Sequence, residues 1–324
     1  MSKTPGEFEL IARLTAKLRR GPGTLLGPGD DCAILKPARV RELITIDSMV
    51  EGVHFRLAWG SPEALGARAL TVNLSDVAAM GGRPTACVVN LAIRPGLDAR
   101  FFDRLYAGLE RAAEAARVDI VGGNVTRAEA LAITIALVGE ARGGVTLRDA
   151  ARPGDYLYVT GTLGDAALGW RILDGRIKAR GAVRRYLIDR FLNPVARLAA
   201  GARLARFRPA PAAIDISDGL WQDLGHILER SGVGAEVDAA SLPLSPAYRA
   251  VAGDDLALAL GGGEDYELLF ALRAEKSPAE LGRRLGVAVS RIGRIVRGRR
   301  ARLVGADGRA APAVAGYDQL RERT

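Results

Sequence analysis

Cysteine is nearly missing from this sequence: of 324 residues only Cys32 and Cys87 carry a thiol. They stand far apart in apolar settings, DDCAIL and TACVVN. That excludes a disulfide framework and a cysteine-ligated zinc site, and leaves two small hydrophobes suited to a reducing cytosol. Histidine is equally scarce, with His54 and His226 alone, and aromatic residues make up 5%. Only five of the 46 basic residues are lysine, a bias that reads as GC-rich coding as much as function. No apolar run approaches the roughly 18 residues of a membrane-spanning helix. The opening MSKTPGEFELIARL lacks the apolar stretch of a secretory signal. The expectation is a soluble, cytoplasmic protein with no membrane partner. Nucleotide motifs are missing too. There is no GxxxxGK[ST], no GxGxxG within a βαβ unit and no HRD/DFG set, so any ATP must be held by another architecture.

What is present is an ordinary globular composition, 48% apolar and 26% charged, in a chain long enough for two domains. The net charge of +9 favours phosphate-bearing partners, either nucleic acid or small anions. The densest basic run, RIGRIVRGRRAR at 291–302, alternates with Ile and Val at strand spacing. Without an aromatic platform it predicts a solvated edge strand and no nucleic-acid partner.

Periodicity predicts an opening helix near 7–20, a strand at 43–47, and a helix within 61–82 capped by Ser61 with Pro62 at its first position. A strand (85–93), a helix (98–117), a short strand (118–121) and a strand (131–141) follow. The connection RGGVTLRDAARPGD, 142–155, marks a domain boundary, giving domains 1–142 and 143–324. Helices and strands intermix again beyond it. VGGN (121–124), GTLGD (161–165) and LGGGED (260–265) read as Gly-rich turns.

Carboxylates break the apolar pattern at five places: LGPGDDCAIL (Asp30, Asp31), LITIDSM (Asp47), TVNLSDVAAM (Asp76), AIDISDGL (Asp215, Asp218) and GGGEDYELL (Glu264, Asp265). For one Asp, a turn or cap role suffices; Ser217 or Asp218 would cap the helix that follows. Gathering the set is different, because two carboxylates ~6 Å apart repel by roughly 3 kcal/mol at an effective dielectric near 20. Few basic residues border these segments, Arg68 and Arg83 among them. A hard divalent cation, best Mg²⁺ shared with phosphates, fits the set. Such carboxylates would repel a polyanion, which argues against nucleic acid.

Seven ordered segments resemble the signature segments of the thiamine-monophosphate kinase family, within the superfamily of aminoimidazole ribonucleotide synthetase and selenophosphate synthetase. They are GEFELIARL, GPGDDCAIL, ITIDSMVEGVHF, ALTVNLSDVAAMGGRP, GDYLYVTGTLGDAALG, AIDISDGLWQDLGHI and GGGEDYELLF. The resemblance implies a two-domain α+β fold of the aminoimidazole ribonucleotide synthetase-like type. Its N-terminal mixed α/β domain would pair in a homodimer, beside a C-terminal α+β domain. It implies transfer of the γ-phosphoryl of ATP to thiamine phosphate with several Mg²⁺ ions, as the last step to thiamine diphosphate. By motif position Asp31, Thr45, Ile46, Asp47, Asp76, Asn124, Asp215 and Asp218 would hold metal, with Asp215 and Asp218 central to catalysis. Tyr106, Gly123, Asn124, Arg148 and Ser217 would contact the nucleotide. His54, Glu264 and Tyr317 would face thiamine phosphate. Two positions depart from the family pattern. GGNVT puts Asn124 where the family often has a metal-binding Asp, and Ile46 offers only its backbone.

Overall fold

A computed structural model of the chain describes residues 24–26, 33–35, 40–305 and 310–311. The expected helix at 7–20, Cys32, Asp30, Asp31 and Tyr317 lie outside the described residues.

Two sheets organise the molecule. The first is built from β1 (Thr24–Leu26), β2 (Ala33–Leu35), β3 (Arg41–Val50), β4 (Arg83–Ile93), β5 (Asp119–Arg127) and β6 (Ala132–Ala141), in the order β1-β2-β3-β6-β4-β5. Helices α1 (Pro62–Ala79) and α2 (Ala99–Ala116) cover one face. Leu43, Met49, Val89, Leu91, Ile133 and Ile135 pack beneath them. The two helices approach with almost no side chain between them, because a Cβ on Gly66 would stand 1.9 Å from the Leu105 carbonyl oxygen. The start of α1 follows the sequence: Ser61 Oγ accepts from the Ala64 N–H at 3.2 Å, and Pro62 needs no partner for a missing N–H.

The second sheet runs in the order β13-β12-β9-β11-β7-β10-β8. Its strands are β7 (Tyr156–Thr160), β8 (Ala212–Asp215), β9 (Gly234–Asp238), β10 (Leu268–Leu272), β11 (Val289–Val296), β12 (Ala301–Val304) and β13 (Ala310–Ala311). Around it lie α3 (Asp165–Leu173), α4 (Gly181–Leu192), α5 (Leu198–Leu204), α6 (Leu220–Ser231), α7 (Pro246–Ala252), α8 (Ala257–Gly261) and α9 (Pro278–Leu285). Apolar almost all round, α1 is a buried helix: Leu70 and Val77 join the first core, while Ala79 packs with Leu204, Leu268 and Phe270 of the second. It fastens one sheet system to the other.

Two sequence expectations are corrected here. VGGN is no turn; residues 119–127 form one strand, parallel to β4. Gly123 fits there because a Cβ would sit 2.0 Å from the Val89 carbonyl oxygen. The basic run is no edge either, since β11 lies between β9 and β7. Ile292 and Ile295 are both buried while Arg291 and Arg294 are exposed; a bulge between Arg291 and Gly293 breaks the strict period-2 alternation and brings both isoleucines to the inner face of an interior strand. Among the described residues, no helix is long and apolar enough to cross a membrane.

Candidate active site

Strand β8 is buried throughout and ends at Asp215, which is 2% exposed. A carboxylate there needs a partner, and Ser75 Oγ of α1 donates to its Oδ2 at 2.5 Å. The next residue, Asp76, accepts on Oδ2 from Thr45 Oγ1 of β3, also at 2.5 Å. Two adjacent residues of α1 thus pin β3 on one side and β8 on the other. Asp47 lies two residues beyond Thr45, on the same face of β3 by strand alternation. Its carboxyl reaches solvent, yet enclosing protein and the negative Glu264 push its pKa up to about 6, against a lowering N–H from Ser48.

The turn after β8 is held differently from the cap expected at Ser217 or Asp218. The helix begins after Gly219 (φ +114), and the capping carboxylate is Asp223, whose Oδ2 accepts from the N–H groups of Asp218 and Gly219 at 3.1 Å each. An acid in the first turn thus takes the capping place expected of Ser217 or Asp218. Asp223 is buried 2% exposed, and its pKa is raised well above the ordinary carboxylate range by burial, then by the charges of Asp218 and Asp215; Arg148 partly offsets this. Gln222 Nε2 donates to Asp218 Oδ2 at 3.3 Å. The Arg148 carbonyl, on the short 3₁₀ turn 148–150, accepts from Ser231 Oγ of α6 at 2.7 Å.

The β8–β10 ladder continues past the strand ends. Tyr266 N–H donates to the Ile216 carbonyl, and Glu264 N–H to the Ser217 carbonyl, each at 2.8 Å. Gly263 permits that approach, because a Cβ would stand 2.3 Å from the Ser217 oxygen. Glu264 and Tyr266 both take positive φ, +74° and +51°, uncommon for residues with side chains. Arg68 of α1 donates to Glu264 Oε2 at 2.7 Å and Tyr266 Oη to the same oxygen at 3.0 Å. Burial raises the Glu264 pKa, but Arg68, then His54 and Tyr266, hold it below the ordinary value. His54 sits in the turn after β3; its Nδ1 accepts from the Val50 N–H at 3.0 Å, which fixes the ring.

Other expected residues lie apart from this meeting point. Asn124 of β5 donates through Nδ2 to Asn90 Oδ1 at 3.0 Å. Tyr106, on α2, packs against the first core, its phenol raised by burial and then by neighbouring Cys87 and Glu110. The Ile46 side chain is 66% exposed on the outer face of the sheet, turned from Thr45 and Asp76. Among the described residues, no three carboxylate, imidazole or thiol groups come together as a ready cation cage. What the site offers is hard oxygen donors in pairs, Thr45 with Asp76 and Ser75 with Asp215. That donor set fits Mg²⁺, which takes one or two carboxylates and completes its shell with water and substrate phosphates. Sequence reasoning overlooked Ser75, Asp223 and Tyr266, and gave Arg68 no role. The signal for Ser75 and Asp223 was available, a hydroxyl beside Asp76 and an acid early in a helix, but their partners lie elsewhere in the chain.

Residues 29–141 match the family model described as AIR synthase related protein, N-terminal domain, and residues 152–306 match its C-terminal domain. Fold and site together define a two-domain α+β protein of the AIR synthase-related class. Its sequence is 42% identical over 299 residues to the thiamine-monophosphate kinase of Salmonella typhimurium, covering 89% of this chain and 87% of that one. With the Aquifex aeolicus thiamine-monophosphate kinase it is 37% identical, over 85% and 88% of the two chains. A solved structure, AaThiL complexed with AMPPCP and TMP, matches with a TM-score of 0.84 at 34% identity, over 98% of this chain and 99% of that one. The chain belongs to the thiamine-monophosphate kinase family. E. coli HypE, at 22% identity and a TM-score of 0.71 over 94% of this chain and 95% of that one, shares the fold.

Proposed function

We propose that this protein transfers the γ-phosphoryl group of ATP to thiamine phosphate, giving thiamine diphosphate and ADP. The observation that carries the reading is the junction of two motifs. The Glu264 N–H donates to the Ser217 carbonyl at 2.8 Å, so the segment assigned to thiamine phosphate and the segment assigned to the nucleotide are hydrogen-bonded to each other. Donor and acceptor are both phosphates, so the task is charge neutralisation and in-line positioning with no covalent enzyme intermediate. Bound Mg²⁺ would supply the neutralising charge.

Thr45, Asp47, Asp76, Asp215 and Asp218, with Asp31, would hold Mg²⁺; Asn124 would offer an uncharged amide oxygen. Gly123, Arg148 and Ser217 would contact ATP, as would Tyr106 from its place against the first core. His54 and Glu264, with Tyr317, would receive thiamine phosphate. The protein would work as a cytoplasmic homodimer. The outer face of the first sheet supports that, since Ile44, Ile46, Val88 and Val138 lie on it, 36–66% exposed, in adjoining registers.

The test is ADP release with Mg²⁺, ATP and thiamine phosphate, with thiamine diphosphate measured as product. Stoichiometric thiamine diphosphate is expected. ATP turnover only with a different acceptor would end the assignment.

A further inference from the structure

Arg68 is an anomaly in the middle of a helix. It is 2% exposed, although arginine is almost never fully buried unless paired. Its guanidinium spans the two halves of the molecule. Nη2 donates to Glu264 Oε2 at 2.7 Å, Nη1 to the His54 carbonyl at 3.4 Å, and the plane lies 3.9 Å from the centroid of the Phe191 ring of α4. Nε has no acceptor among the described residues. Domain glue alone would leave the choice of partners open. Here both polar contacts go to the segments carrying His54 and Glu264.

We infer that Arg68 is a positioning residue for thiamine phosphate, an inference that rests on the function proposed above. It fixes the Glu264 carboxylate through Oε2, leaving Oε1 for the substrate, and holds the His54 turn in register with it. Tyr266 Oη is the second donor to Oε2, at 3.0 Å, so that oxygen is committed on the protein side. The backbone at Glu264 is bent through positive φ, and a side chain displayed from such a turn depends on its partners for direction. The stack on Phe191 keeps the guanidinium plane from turning, which a lysine ammonium cannot reproduce. Arg68 and Asp76 share α1, eight residues or about 12 Å along its axis, so one rigid element spaces the substrate grip from the proposed phosphoryl site.

The experiment measures KM and kcat for both substrates in wild type, Arg68→Met, Arg68→Lys, Glu264→Gln and the double variant Arg68→Met/Glu264→Gln. Removing one partner of a buried charged hydrogen bond commonly costs roughly tenfold to a hundredfold in the affected equilibrium. The KM for thiamine phosphate of Arg68→Met is expected to rise by that factor, with the KM for ATP unchanged within about twofold. Arg68→Lys should fall between, because it keeps the charge and loses the fork and the stack. In the Glu264→Gln background, Arg68→Met should add little, since its main route of action is already gone. Thermal melts establish folding; should Arg68→Met fail to fold, Arg68→Lys decides by the same criterion. Equal effects on both substrates, an unchanged KM for thiamine phosphate, or fully additive losses in the double variant would overturn the inference while wild-type turnover upholds the function. Absence of wild-type turnover with thiamine phosphate would remove the functional reading and this inference together.

Discussion

Glu267 closes the segment that carries Glu264, and the cost of removing its charge follows from its surroundings. The residue is fully buried. Oε2 accepts from Thr160 Oγ1 at 2.7 Å and Arg197 Nε at 2.6 Å; Oε1 accepts from Arg197 Nη2 at 2.5 Å and Arg190 Nη2 at 3.1 Å. Substituting Glu267→Leu leaves two guanidinium groups, whose side chains are 14% and 20% exposed, without their carboxylate. Breaking such a pair from one side costs about 3–5 kcal/mol, mostly the penalty of the stranded charge. At roughly 2–4 °C per kcal/mol for a domain of 150–250 residues, the melting temperature should fall by about 10 °C. Urea unfolding followed by circular dichroism gives the free energy, with E267Q expected between wild type and E267L. The triple variant Glu267→Leu, Arg190→Met, Arg197→Met should recover part of the loss, because it removes Glu267 and both guanidinium groups at once while Asp165, 3.9 Å from Arg190, loses that cation. A loss for E267L below about 1 kcal/mol, or a triple variant no better than the single one, would refute this account of the cluster.

Asp265 supplies a pH test. Burial, with the charges of Asp165 and Glu267, pushes its pKa from 3.8 up to about 8, against lowering from the Gly164 N–H and Arg190. The folded state therefore keeps a proton that the unfolded chain releases, so this contribution to stability is whole below about pH 4, declines as pH rises to about 8, and is flat above. Between pH 5 and 8 the wild type should lose more stability than D265N in urea titrations; equal losses would contradict the assignment. For Asn124→Asp, a charged oxygen replaces an amide one beside Asn90, so the Mg²⁺ concentration for half-maximal activity should drop several-fold with kcat little changed; an unchanged requirement would place residue 124 away from the metal. For Ile46→Lys, a charge enters the exposed sheet face, and sedimentation should show the dimer weakened at least tenfold; an unaltered sedimentation profile would move the pairing surface elsewhere.

The sequence by itself determined the local architecture, because local elements are set by period and by caps. Ser61, Pro62 and an apolar run dictate the helix that carries Asp76, and the alternation of LITID dictates β3. The ordered acidic segments also identified the family, since each motif is contiguous. What the tertiary structure decided is every pairing across the chain. Ser75 meets Asp215 over 140 positions and Arg68 meets Glu264 over 196, and no local pattern encodes such partners. Strand order is likewise non-local: RIGRIV mixes basic and apolar residues as an edge or a bulged interior strand can, and only pairing with β7 and β9 separates the two. VGGN looked like a turn because glycine is permissive, whereas the close Val89 carbonyl makes it strand. The cap moved to Asp223 for a related reason. Several carboxylates crowd one turn, and burial and mutual charge, properties of the folded neighbourhood, decide that Asp223 is the one that serves the backbone.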